Sequence, residues 1–249
     1  MDFNPTEMRH VCTAAQDATA PRFDMYVGIH KAMRALMADT LLAVGRVDTS
    51  DERELVNTQR RVLELLQFCA GHLRHENEFV HTAIEARAPG ASELIAHEHS
   101  EHQLHIDRLG DAAMDLLKVA EGQRDAAALS LYRQLALFMA DNFQHMHVEE
   151  TAHNAVLWSR YTDAELVTIH NALVASIPPA EMMFTLRWLV PFMNPAERTA
   201  LLADMQAHAP APAFAAALDV IQPHLSQTDW TKLAVSLGLP SVPGLVDLS

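Results

Sequence analysis

Four long stretches of this chain carry apolar residues in alternating steps of three and four, the spacing that keeps one face of an α-helix apolar. The first covers residues 21–46, with apolar or histidine positions at Phe23, Val27, His30, Met37, Leu41 and Val44. Asp48-Thr49-Ser50 then offers a helix cap, and a second stretch runs from residue 51 to about residue 88, where Pro89-Gly90 stops it. A third covers residues 91–121 and a fourth residues 125–161. Short connections between long amphipathic helices predict antiparallel neighbours, hence an all-α, up-down-up-down four-helix bundle. After Tyr161 the pattern shortens. Helix starts follow at Thr162, Pro179, Pro195, Pro212 and Thr228, several of them explained by proline in a first helical turn. This divides the chain into an N-terminal segment 1–20, a bundle 21–161, a region of short helices 162–239 and a tail 240–249. The short-helix region reads equally as a separate domain or as a cover packed on the bundle.

The seams of the bundle are not uniformly apolar. On the fourth helix the inner row reads Leu131, Leu135, Phe138, Asn142, His145, Glu149, Ala152 and Val156. On the second it reads Leu55, Val62, Cys69, Glu76 and Ala83, with His72 or Leu73 beside it, and on the third Ile95, His99, His102, Ile106, Leu109, Ala113 and Leu116. His30, His72, Glu76, His99, His102, His145 and Glu149 therefore replace leucine at core-facing positions. His72/Glu76 and His145/Glu149 are each four residues apart, so each pair shares a helix face. An ionised glutamate in an apolar core is costly unless it is paired or bound to metal. Hydrogen-bonded His/Glu pairs would satisfy two such glutamates. Metal ligation also accounts for donors arriving from every helix. A ferritin-like carboxylate centre would use Glu78-x-x-His81 and Glu150-x-x-His153 instead. At 100° per residue, however, Glu78 and His81 point about 200° and 140° away from Glu76. Glu150 and His153 flank the inner row, and the first helix has no glutamate, so register rejects that arrangement.

Composition narrows the functional classes. The chain has 249 residues with 18 basic and 32 acidic side chains, a formal charge of −14, which disfavours nucleic acid as a partner. Two cysteines, Cys12 and Cys69, give no disulfide framework and fit a reducing compartment. Cys69 reads as a small buried hydrophobe, with a redox role open because it lies one turn before His72. No apolar run reaches the ~18 residues of a membrane span, and no signal peptide is evident. The expectation is a cytoplasmic protein without a membrane partner.

His30 in Ile-His-Lys-Ala-Met-Arg, His72-x-x-x-Glu76, Glu98-His99 and His145-x-x-x-Glu149-Glu150 together resemble the hemerythrin-like, or HHE cation-binding, family over roughly residues 20–160. The resemblance implies a non-haem di-iron centre inside the bundle. Glu76 and Glu149 would bridge both ions, His30 and His72 would serve one, and His99 and His145 the other. Oxygen carriers of the family have two histidines a turn apart on the third helix; here position 103 is Gln and the nearest inward histidine is His102. The implied ligand is a diatomic such as oxygen or nitric oxide, and zinc or manganese suits the same donors as iron. The residues leave open whether the protein is an enzyme; no catalytic residue is assigned. Arg34 reads as a solvated or packing arginine that could instead pair with a carboxylate behind a ligand.

Overall fold

Asp24 starts the first helix: its carboxylate accepts the amide N–H groups of Tyr26 and Val27 at 2.8 and 3.0 Å. Helix α1 then runs over Val27–Gly45. The computed structural model describes residues 22–239, so the segment 1–20 with Cys12 and the tail 240–249 lie outside the described residues. All regular elements among the described residues are helices. Helix α2 is α-helical over Glu52–His75, opens into π geometry over Glu76–His81 and closes again over Thr82–Arg87. Helix α3 is Glu93–Asp115. Helix α4 is α-helical over Arg124–Val148, π over Glu149–His153 and α-helical over Asn154–Arg160. Helices α5 (Asp163–Ser176), α6 (Pro179–Leu189), α7 (Pro195–His208), α8 (Ala211–Ile221) and α9 (Gln227–Ser236) follow.

Each of α1 to α4 packs on the next, and α1 also packs on α4. Their partners fix direction. Asp39 meets Arg61, Gln59 donates to the Ala113 carbonyl, Asn77 meets His99, and Gly45 lies against Tyr132 while Tyr26 meets His153. Early residues of one helix thus meet late residues of its neighbour, as antiparallel packing requires. The end of the bundle away from the histidines is conventional, with Met37, Leu55, Val62, Leu65, Leu131 and Leu135 all fully buried.

Two expectations of register fail. On α1 the buried row is Tyr26, His30, Met33, Met37, Thr40 and Val44, whereas Val27 is exposed, and the helix begins at Val27 and not at residue 21. On α4 the row beyond Glu149 shifts by one, from Ala152 and Val156 to His153 and Leu157. The cause is the π turn: the Asn154 amide bonds the Glu149 carbonyl five residues back, so the helix turns less per residue there.

The described residues divide into two compact units, the boundary falling between Ser176 and Ile177. Helix α5, placed by its sequence with the C-terminal region, belongs to the first. Its Leu166, Ile169 and Leu173 join Tyr26, Val80, Ile84 and Leu157 in one apolar cluster. Thr162 and Glu165 form a reciprocal cap at its start. The second unit has its own core of Leu186, Val190, Leu202, Phe214, Ala217, Ile221 and Leu233. Buried Arg198 ties that unit together, donating to the carbonyls of Val190 and Met193 and pairing with Asp229.

Candidate metal centre

The polar positions of the four seams meet at one level. His30, His72, Glu76 and Glu149 form one group and Glu76, His99, His145 and Glu149 a second, every member buried. The two carboxylates belong to both groups, and their oxygens divide between them. Glu76 Oε1 lies 3.7 Å from His30 Nε2 and 3.1 Å from His72 Nε2, while its Oε2 lies 3.6 Å from His99 Nε2. Glu149 Oε2 lies 3.5 Å from His30 Nε2, while its Oε1 lies 3.5 Å from His99 Nε2 and 3.2 Å from His145 Nε2. Ligand atoms about 2.1 Å from a shared ion stand roughly 3.0–3.4 Å apart, so both groups are near the spacing an ion needs.

Hydrogen bonding separates a ligand set from a set of ion pairs. Nε2 of His30 and of His72, and all four carboxylate oxygens, are buried and make no hydrogen bond, even where the distance is short. These atoms face common points and are misaligned with one another. Behind the imidazoles of His30, His99 and His145, the other ring nitrogen is held. His145 Nδ1 lies 2.8 Å from Glu98 Oε2, His99 Nδ1 2.8 Å from Asn77 Oδ1, and His30 Nδ1 3.0 Å from Glu150 Oε1. Nδ1–H donating outward leaves the Nε2 lone pair facing inward, the tautomer a metal ligand requires. Glu150 is held in turn by Arg34, at 2.6 and 3.1 Å, so Arg34 pairs with the carboxylate behind His30. Asp24, by contrast, is used in starting α1.

Charge follows this geometry. Burial works against charge on His30, yet the Glu150 and Glu76 carboxylates raise its pKa to about 9. Burial likewise opposes charge on His145, while Glu149 and Glu98 raise its pKa to about 10. Burial pushes Glu76 up, but His72 and His30 hold it well below the ordinary carboxylate range. Burial and Glu76 both push Glu149 up, and the nearby His145 and His99 imidazoles bring it down to about 2. Without an ion, protons on His30 and His145 balance the two carboxylates, and His145 Nε2 then donates to His99 Nε2 at 3.0 Å. These protons occupy the positions that cations would take. Divalent ions held by imidazole and carboxylate fit this donor set.

A family model, the hemerythrin HHE cation binding domain, matches residues 23–153, more than half of the chain and the whole of this site. The chain belongs to that family. Cation binding by this hemerythrin-family bundle therefore rests on both the match and the buried donor groups. Comparison with curated proteins and with solved structures gives no match. Among the described residues, no helix is long and apolar enough to cross a membrane.

Of the residues singled out by sequence, His102 alone falls outside both groups. It is buried with its ring 4.6 Å from that of His145, and burial with the His145 and His99 imidazoles lowers it to about 4. His81 and His153, rejected by register, are buried beside the site: their rings are 5.3 Å apart, and His81 stacks on His99 at 4.7 Å. The π turn of α2 brings His81 in, because i→i+5 bonding places it one turn beyond Glu76, and His153 ends the π turn of α4. Glu78 stays exposed and Glu150 turns to Arg34, so the ferritin-like set is still not assembled. His75 is also buried, whereas His97 is exposed. Cys69 is buried and its thiol is pushed up to about 12, the wrong direction for a reactive thiolate. Tyr26, which the sequence pattern leaves off a seam running through Val27, donates from its hydroxyl toward His153 Nδ1 at 3.2 Å.

Proposed function

We propose that the bundle holds a non-haem di-iron centre and uses it to bind or sense a small diatomic ligand, oxygen or nitric oxide, or to report iron and redox state. One observation carries this reading: two buried carboxylates each turn one oxygen to each of two histidine pairs, the arrangement that bridges two ions. Glu76 and Glu149 are the bridges, His30 and His72 the ligands of one ion, and His99 and His145 those of the other. Bound iron supplies redox change and coordination positions open to a diatomic ligand. The protein supplies the rest. Glu98, Asn77 and Glu150 orient the imidazoles, and the apolar cluster of Tyr26, Val80, Ile84, Leu157 and Leu166 excludes water from the end nearest α5.

The same donors suit zinc or manganese, so the deciding experiment is metal content. Protein purified without added metal or chelator should hold about two irons per chain. His72→Ala combined with His145→Ala should abolish that binding. Zinc alone would remove the redox reading, and no metal after anaerobic iron loading would overturn the metal centre itself. A second reading, a di-iron oxidase or peroxide-reducing enzyme, is favoured by the buried Tyr26–His153 bond, which places a proton carrier beside the site. Steady turnover of peroxide by the iron-loaded protein supports it. Stoichiometric binding of oxygen or nitric oxide supports the first.

A further inference from the structure

His81, His153 and Glu149 form a third group of donor atoms that the paired site does not use fully. One ligand atom from each lies within 4.8 Å of the other two, and all three side chains are buried. Both ring nitrogens of His81 and Nε2 of His153 make no hydrogen bond. A neutral imidazole carries one N–H that needs an acceptor and one lone pair that needs a donor, so burying three such atoms without a protein partner is costly. His153 is not free to turn away. Its Nδ1 is engaged by the Tyr26 hydroxyl, leaving Nε2 on the far side of the ring. Stacking on His99 likewise fixes the plane of the His81 ring, with the two planes only 19° apart. His81 enters the interior through the π turn of α2, and His153 ends the π turn of α4, four residues after Glu149. Two helices thus depart from α geometry at the same level, and each departure presents one unsatisfied imidazole.

We propose that His81, His153 and Glu149 form a third divalent-cation position beside the pair. Two imidazoles and one carboxylate make a donor set for zinc, iron(II) or a similar ion, with remaining positions filled by water. The third ion shares Glu149 with the pair and otherwise stands on separate residues. Because that carboxylate already serves two ions, the third is held more weakly and fills last.

The test titrates metal-free full-length protein with zinc under equilibrium dialysis and locates the ions by anomalous diffraction. Three zinc ions per chain, one with density between His81 and His153, is the expected result. His81→Gln combined with His153→Gln should then bind two. Exposed pairs such as His97/Glu101 and His208/Asp204 offer weak stray sites, which diffraction distinguishes by position. Two ions in both proteins overturn the third position and leave the paired centre standing. Two in the wild type and one in the variant also overturn it, by making these histidines ligands of the pair. No zinc at all overturns the paired centre together with it. Should the double variant not fold, the absence of wild-type density between His81 and His153 at saturating zinc overturns the proposal by itself.

Discussion

Single side chains in this site act through what stands behind them. Glu98 illustrates the point because its side chain is one-third exposed. Its carboxylate accepts from His145 Nδ1 and so aims Nε2 at Glu149 Oε1. Loss of such an orienting carboxylate typically costs 10–100-fold in metal affinity. Glu98→Ala should therefore weaken the paired site by roughly that factor, while Glu98→Gln, whose amide oxygen still accepts, should lose less. Competition against a chelator of known affinity measures both. Equal affinities for wild type and Glu98→Ala would mean that packing by the surrounding helices alone orients His145. Glu150 does the same for His30, but its bond to Arg34 couples two helices, so its replacement would mix metal affinity with stability.

The helices show which features a periodic pattern can and cannot report. Seams made of ideal α-helix were legible: Leu131, Leu135 and Phe138 on α4 and Leu55, Val62 and Cys69 on α2 are all buried. The inward positions of Glu76, His99, His145 and Glu149 followed from the same count. His81, five residues after Glu76, was illegible by that count, since 100° per residue does not hold through a π turn and nothing in the local composition marks one; His153 lies four residues after Glu149, a spacing the count allows, and only the choice of Ala152 for the seam leaves it out. Tyr26 was lost for a different reason. The sequence pattern starts α1 at Pro21, but Asp24 sets the start by holding the Tyr26 and Val27 amides. That contact makes its own prediction. Asp24→Ala should cost about 1 kcal/mol of bundle stability, as removal of a side-chain cap does, and should loosen the turn that places Tyr26 and His30. Chemical denaturation of the metal-free protein gives the first. Hydrogen exchange at the amides of Tyr26 and Val27 gives the second, and unchanged exchange there would show that the apolar cluster around Tyr26 holds the turn without Asp24.

At the scale of the whole molecule, the site makes stability depend on pH in a way that metal reverses. In the metal-free protein His30 and His145 hold protons to about pH 9 and 10, above the ordinary histidine value of 6.5. A base whose pKa is raised by folding stabilises fully below its unfolded value and loses that contribution as pH rises toward the folded one. The alkaline loss therefore begins near pH 6.5. His81 and His102 have the opposite sign: burial first, then neighbouring imidazoles, lower both to about 4. Their contribution is present above pH 6.5 and disappears as pH falls toward 4. Metal-free protein should accordingly be most stable near pH 6.5, with its Tm falling on both sides. Metal takes the Nε2 positions that the two protons occupied, so loading releases protons and removes the alkaline arm. Between pH 6.5 and 9 the Tm of the loaded protein should be flat while that of the metal-free protein declines. Above that range, buried Tyr26 and Cys69 destabilise the metal-free protein further, because their raised values keep them neutral when the unfolded chain ionises. Calorimetry of the two forms across this window is the measurement. Parallel curves would show that His30 and His145 keep their protons when metal is present, and so are not its ligands.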